Sequence, residues 1–201
     1  MRNNTNMIWQ IRENPDGFID FEPVFNLMNE ELSQVGQSLL MICAGGYVMQ
    51  LNGYRSTLDV DAFYETSKTI EAIIRKVGDT FGINKPDELW LNNSIANMNP
   101  KPSDEHCELV YQFSNLVIKA VSITYLIGMK LASGREQDLL DVGSILKNNN
   151  NERPFELLSE LAGMKFDIDI SGLLDAYEKA HGMDWLDEFY VNNQDELRKH
   201  F

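Results

Sequence analysis

Between Asp20 and Val35 the apolar residues Phe21, Val24, Phe25, Met28, Leu32 and Val35 recur mainly at three- and four-residue steps, which predicts an amphipathic helix. The pattern then changes. Ser38 to Ala44 is a short apolar run that stops at Gly45-Gly46, as a buried strand ended by a turn does. Gly46 to Leu51 can start a short helix, which Asn52-Gly53 breaks. From Thr57 to Tyr64 the period is two. Leu58, Val60, Ala62 and Tyr64 face one way, and Thr57, Asp59, Asp61 and Phe63 face the other.

The segment Lys68 to Phe81 reads as a second amphipathic helix, with Ser67 as its N-cap and Gly82 as its stop. A further short helix is expected over Asp87 to Met98, before the Pro100-Lys101-Pro102 loop. Glu108 to Val121 predicts two strands joined at Ser114-Asn115. Helices are then expected over Ile123 to Ser133, Glu136 to Lys147, Pro154 to Met164, Ser171 to His181 and Trp185 to Phe201. This order is an α+β pattern with segregated helices. The polar run Lys147-Asn148-Asn149-Asn150-Asn151 is the clearest linker, so a core over residues 1–147 and a helical region over 148–201 packed on it are expected.

At 201 residues, 43% of them hydrophobic, the chain can bury a real core without disulfides. Cys43 and Cys107 stand far apart with no metal-motif spacing, and both are expected to be buried thiols of a reducing compartment. The opening residues lack the apolar core of a signal peptide and no run is long enough to span a bilayer, so a cytoplasmic protein with no membrane partner is expected. The net charge of -14 argues against general coating of nucleic acid, although a local basic patch could still hold one.

Candidate chemistry centres on Asp59 and Asp61. Two carboxylates at i and i+2 on one strand face converge on a volume suited to an oxygen-loving divalent ion, and their mutual repulsion calls for exposure, a basic neighbour or a metal. An alternating strand with a solvated acidic edge is the plainer explanation of the same pair. Gly45 and Gly46, at a strand-to-helix turn, let backbone N–H groups approach a phosphate, though a glycine pair alone is more often a simple turn. Further on, Asp138 and Asp141 share a helix face with Arg135, which with Lys130 can be an ordinary salt-bridge network. His106, His181 and His200 lack ligand spacing, and Trp90, Trp185, Phe189, Tyr190 and Phe201 are expected to pack rather than stack on bases.

Taken together, Ala44-Gly45-Gly46 followed by Arg55, Thr57, Asp59 and Asp61 resembles the Gly-Gly then R-x-T-x-D-x-D opening of polymerase-β-like minimal nucleotidyltransferases. The segment from Lys130 through Arg135 and Asp138 to Asp141 is similar to the corresponding Lys-Ala-Arg-Asp-Asp segment of the toxin-type nucleotidyltransferases of abortive-infection systems and related bacterial proteins. The resemblance implies a small mixed-sheet nucleotidyltransferase core flanked by helices, with Asp59 and Asp61 binding Mg²⁺ or Mn²⁺. It also implies an NTP substrate held by Gly45, Gly46, Arg55, Thr57, Lys130 and Arg135, with Asp138 or Asp141 completing the acidic site. The implied reaction moves a nucleoside monophosphate to an RNA end, a protein or a small hydroxylated molecule, and the toxin resemblance implies a cognate antitoxin. Two departures matter: a Gly-Gly opening where many relatives have Gly-Ser, and Glu108 as the only candidate carboxylate on a later strand. A degenerate domain used for nucleotide sensing or protein contact is the alternative expectation.

Overall fold

The computed structural model describes residue 13 and residues 17–200; residues 1–12, 14–16 and 201, and what the sequence predicts for them, fall outside the described residues. The chain divides into two compact units, Met1–Met98 with Pro102–Ser122, and Asn99–Lys101 with Ile123–Phe201. The polar run 147–151 lies within the second unit, where it joins two helices.

In the first unit the order is α1 (Glu22–Gln34), β1 (Leu39–Ala44), α2 (Gly45–Leu51), β2 (Val60–Phe63), α3 (Lys68–Phe81), β3 (Leu91–Asn92), a 3₁₀ turn (Asp104–His106), β4 (Cys107–Gln112) and β5 (Leu116–Val121). The strands form one mixed sheet in the order β3-β2-β1-β5-β4. β1 runs antiparallel to β2 and parallel to β5, while β4 and β5 form an antiparallel hairpin. This is the expected α+β core.

Strand parity decides which residues meet the core. Leu39, Met41 and Cys43 alternate inward and join Val60, Ala62, Leu116 and Ile118 in a cluster with Val24, Phe25, Met28 and Leu32 of α1 and Ile70, Ile73, Ile74 and Val77 of α3. Each buried Val, Leu, Ile, Phe or Met among them contributes roughly 1.5–3 kcal/mol through burial. Across the opposite face, Phe63 pairs with Ile42 and Ile42 with Lys119, and in the next row Asp61 pairs with Ala44. The core thus anchors one face of β2 and leaves Asp61 on the other.

α3 begins and ends where its caps dictate. Ser67 Oγ accepts a hydrogen bond from the Ile70 amide at 3.2 Å, and Gly82 closes the helix in the left-handed conformation at φ 67°. Loss of an N-cap acceptor costs about 1 kcal/mol. Ser67→Ala is therefore expected to lower the urea midpoint without changing the slope of the transition, and an unchanged midpoint would show that the cap adds nothing here.

Some expectations are corrected. No helix forms over Asp87 to Met98; Trp90 is buried, its indole N–H donates to the Ile74 carbonyl at 2.9 Å, and the adjoining Leu91–Asn92 pairs with β2. The second strand starts at Val60 rather than Thr57, so Leu58 is exposed. Cys43 is buried as expected, whereas Cys107 is only partly so.

The second unit is helical: α4 (Ile123–Ser133), α5 (Glu136–Asn148), α6 (Pro154–Gly163), α7 (Ile170–His181), α8 (Met183–Asn192) and α9 (Gln194–Leu197). α4 is buried from Tyr125 to Leu131, so it serves as the interior helix of this unit. The helix expected from Trp185 onward is interrupted at Asn193. Trp185 stacks between Tyr177 and Phe189 at 5.4 and 5.2 Å, the packing role expected of it.

Candidate active site

The first unit brings the glycine turn and the acidic strand together. β1 delivers Gly45 beside Asp61, because Ala44 is the register partner of Asp61. Gly45 has φ 58°, and a Cβ built on it would run into the Asp61 carboxylate at Oδ2. A Cβ on Gly46 would lie 2.8 Å from Thr57 Oγ1. The two glycines are therefore fitted to the R-x-T-x-D-x-D segment itself, one to its threonine and the other to its second aspartate.

Thr57 fixes the approach to the strand. Its hydroxyl accepts from the Asp59 amide at 3.2 Å and donates to the Asp59 carbonyl at 3.1 Å, which closes a local turn and sets the direction of Asp59. The turn is held from α2 by Gln50, a buried residue that sequence reasoning missed. Gln50 Oε1 accepts from the Thr57 amide at 3.1 Å and from Ser56 Oγ at 3.3 Å, while Nε2 donates to the Ile19 carbonyl at 2.8 Å.

Both aspartates find partners on the chain that follows α3. Lys85 Nζ donates to Asp59 Oδ2 at 2.6 Å and to Glu88 Oε2 at 3.1 Å; these hydrogen bonds raise the Lys85 ammonium above its ordinary range. Lys85 is the basic neighbour that the charge argument required, and sequence distance concealed it. Ser94 Oγ donates to Asp61 Oδ1 at 3.2 Å. Asp59 Oδ1 is buried without a hydrogen-bond partner, an unsatisfied acceptor of the kind a bound cation would take up.

Among the described residues no group of three or more His, Cys, Asp or Glu is arranged to hold a metal ion. Mg²⁺ does not require one, since it is commonly held by one or two carboxylates and completes its shell with phosphate oxygens and water. Asp59 and Asp61, with the unsatisfied Oδ1, fit such an ion. Glu108 does not join them. Its register partner is Ala120, which pairs with Cys43, which pairs with Ala62, so Glu108 shares the Ala62 face and not the Asp61 face.

Lys130, Arg135, Asp138 and Asp141 come together in the second unit. Lys130 Nζ donates to Asp138 Oδ1 at 2.8 Å and Asp141 Oδ2 at 2.7 Å, and all three side chains are almost wholly buried. Ser133 Oγ and Arg135 Nε both donate to Asp138 Oδ2 at 2.6 Å, and Gln137 Nε2 donates to Asp141 Oδ1 at 3.2 Å. Burial pushes the Asp138 carboxyl up, but its bonds to Arg135, Lys130 and Ser133 outweigh this and hold it below its ordinary value. Each carboxylate here is already matched by a cation.

Burial, with a smaller contribution from the Asp61 charge, pushes the Cys43 thiol well above its ordinary range, so it is unreactive near the site. No helix among the described residues is long and apolar enough to cross a membrane.

A five-stranded mixed sheet, with a glycine turn set against Thr57 and Asp61, defines a nucleotidyltransferase-type core. A profile of the DUF6036 family, described as nucleotidyltransferases of unknown function, matches residues 20–171, and the chain belongs to that family. The matched stretch contains both the Gly45–Asp61 and the Lys130–Asp141 segments. No curated protein and no solved structure matches the chain significantly.

Proposed function

We propose that the chain is a metal-dependent nucleotidyltransferase that moves a nucleoside monophosphate from an NTP to an acceptor hydroxyl. The observation that carries this reading is the fit of Gly45 and Gly46 against Asp61 and Thr57, which has no use in a plain solvated strand edge. Asp59 and Asp61 would hold Mg²⁺ or Mn²⁺, and such an ion neutralises charge on the triphosphate and the departing pyrophosphate. The chain's own part is positional. Gln50 and Thr57 fix the loop that presents Asp59, and the glycine turn, lacking a Cβ, lets the Asp61 carboxylate sit against it. The acceptor oxygen bonds to the α-phosphorus, the bond to the β-phosphate oxygen breaks, pyrophosphate leaves, and the acceptor proton passes to solvent.

Arg55 enters the proposal as a nucleotide contact, and Lys130, Arg135, Asp138 and Asp141 enter it by resemblance alone. The acceptor is an RNA end, a protein or a small hydroxylated molecule, and the toxin resemblance adds a cognate antitoxin as partner. An anionic chain of net charge -14 favours a cationic small acceptor over RNA. One observation favours the second reading, a degenerate nucleotide-binding or protein-interaction module: Glu108 lies on the wrong face to supply a third carboxylate.

Metal-dependent NTP turnover separates the two, and calorimetric titration with each of the four NTPs in the presence of Mg²⁺ tests the site itself. Saturable, Mg²⁺-dependent binding is expected, and Asp59→Asn or Asp61→Asn should abolish it while leaving the far-ultraviolet circular dichroism unchanged. Binding that persists in both variants would remove the metal assignment, and no binding of any NTP would favour a degenerate module used for protein contacts.

A further inference from the structure

Lys85 stands between two carboxylates. Its ammonium is 2.6 Å from Asp59 and 3.1 Å from Glu88, and the Lys85 and Glu88 side chains are about half exposed, at 49% and 51%. The backbone beneath them is fixed. The Lys85 amide donates to the Glu88 carbonyl at 2.9 Å, the Ile83 amide to the Gly78 carbonyl at 2.9 Å, and Asn84 Nδ2 to the Arg75 carbonyl at 2.9 Å and to Asp79 Oδ1 at 2.8 Å. Only side-chain rotation is needed for Lys85 to leave one carboxylate for the other.

We propose that Lys85 is an internal counter-ion that a divalent metal displaces from Asp59 onto Glu88, so that the Lys85–Glu88 pair sets the metal affinity of the site. The proposal rests on the reading of Asp59 and Asp61 as metal ligands. Charge counting supports the exchange. Without metal, Asp59, Asp61 and Glu88 carry three negative charges against one positive; with a dication on the aspartates, and Lys85 on Glu88, the four groups and the ion sum to zero. An ammonium and a dication on one carboxylate repel each other, by an amount that reaches about tenfold in affinity even with the screening of bulk water. Lys85 therefore steadies the empty aspartate pair and weakens metal binding by the same interaction. The Lys85 charge also sets a threshold: a monovalent ion brings no more charge than the ammonium it must replace, whereas a dication does.

The test is Mn²⁺ titration of the 201-residue chain, followed by the electron paramagnetic resonance of free Mn²⁺, on the wild type, Lys85→Met, Glu88→Gln and the double variant. Lys85→Met is expected to bind Mn²⁺ about tenfold more tightly. Glu88→Gln, which removes the alternative partner, should weaken binding roughly threefold in the wild type yet change it less than twofold where Lys85 is already methionine, because Glu88 acts through Lys85. Equal or weaker Mn²⁺ binding by Lys85→Met would overturn the proposal, and would make Lys85 an orienting group or a bystander. An equal loss from Glu88→Gln in both backgrounds would overturn the exchange and leave only a general field effect. Should the wild type show no saturable Mn²⁺ binding, or Asp59→Asn bind as the wild type does, the metal reading itself falls.

Discussion

Lys130→Met is expected to destabilise the protein by roughly 3–5 kcal/mol, the cost of removing one partner from a buried ion-pair cluster. The reason is the charge left behind. Asp138 and Asp141 are 3% and 4% exposed, and both depend on the Lys130 ammonium. Arg135 and Ser133 still serve Asp138 in the variant, but Asp141 loses the ammonium that donates to its Oδ2. Lys130→Met with Asp141→Asn removes one charge of each sign and should recover much of the loss, which a chemical-denaturation series on the four chains would measure. A single-variant penalty below about 0.5 kcal/mol would mean that the cluster does not hold α4 to α5.

The pH dependence follows from the sign of the Asp138 shift. Its folded pKa lies below its ordinary value, so its contribution to stability is complete above the unfolded pKa and is lost as pH falls through the folded one. In Lys130→Met the buried carboxylates lose that cation, and protonation relieves them. The penalty is therefore expected to be largest near neutrality and to shrink as pH falls towards about 4. A penalty independent of pH would indicate lost packing of the lysine stem rather than lost charge pairing.

The legibility of this chain followed the range of the interactions. α3 was readable to the residue because its signals are local: a cap, isoleucines at helical spacing and a terminal glycine. The Asp87–Met98 stretch carries no sign of its strand because a two-residue strand has no period to detect, and Trp90 is placed by a hydrogen bond to Ile74 sixteen residues earlier. In the site, Gly45, Gly46, Thr57, Asp59 and Asp61 lie within one short segment whose residue types and spacing can be read directly. Lys85 and Ser94 reach Asp59 and Asp61 across 26 and 33 residues, and Gln50 has no motif to mark it. Glu108 shows the same limit from another side. Its residue type suits a metal, but its face is decided by the pairing of β4 with β5, which no local pattern states.

Gly45→Ala is expected to abolish Mg²⁺-dependent NTP binding, and the argument can be separated from simple destabilisation. Alanine at φ 58° costs about 1–2 kcal/mol in backbone strain alone. Its methyl group would also occupy the space of Asp61 Oδ2, so the carboxylate must turn away from its position beside the glycine turn. Gly53 supplies the control. It too has a positive φ, 75°, but a Cβ there meets nothing within 4 Å. Gly53→Ala should therefore lose similar stability and keep its nucleotide affinity, whereas Gly45→Ala should lose both. Gly46→Ala falls between them, because its Cβ would press on Thr57 Oγ1 at 2.8 Å without a positive φ, and a partial loss of affinity with little backbone strain is expected. Parallel denaturation and NTP titrations of the three variants decide the matter. If Gly45→Ala and Gly53→Ala reduce affinity alike, the glycine turn matters only through stability; if Gly45→Ala alone removes binding, the Asp61 carboxylate in its observed place is what holds the nucleotide's metal.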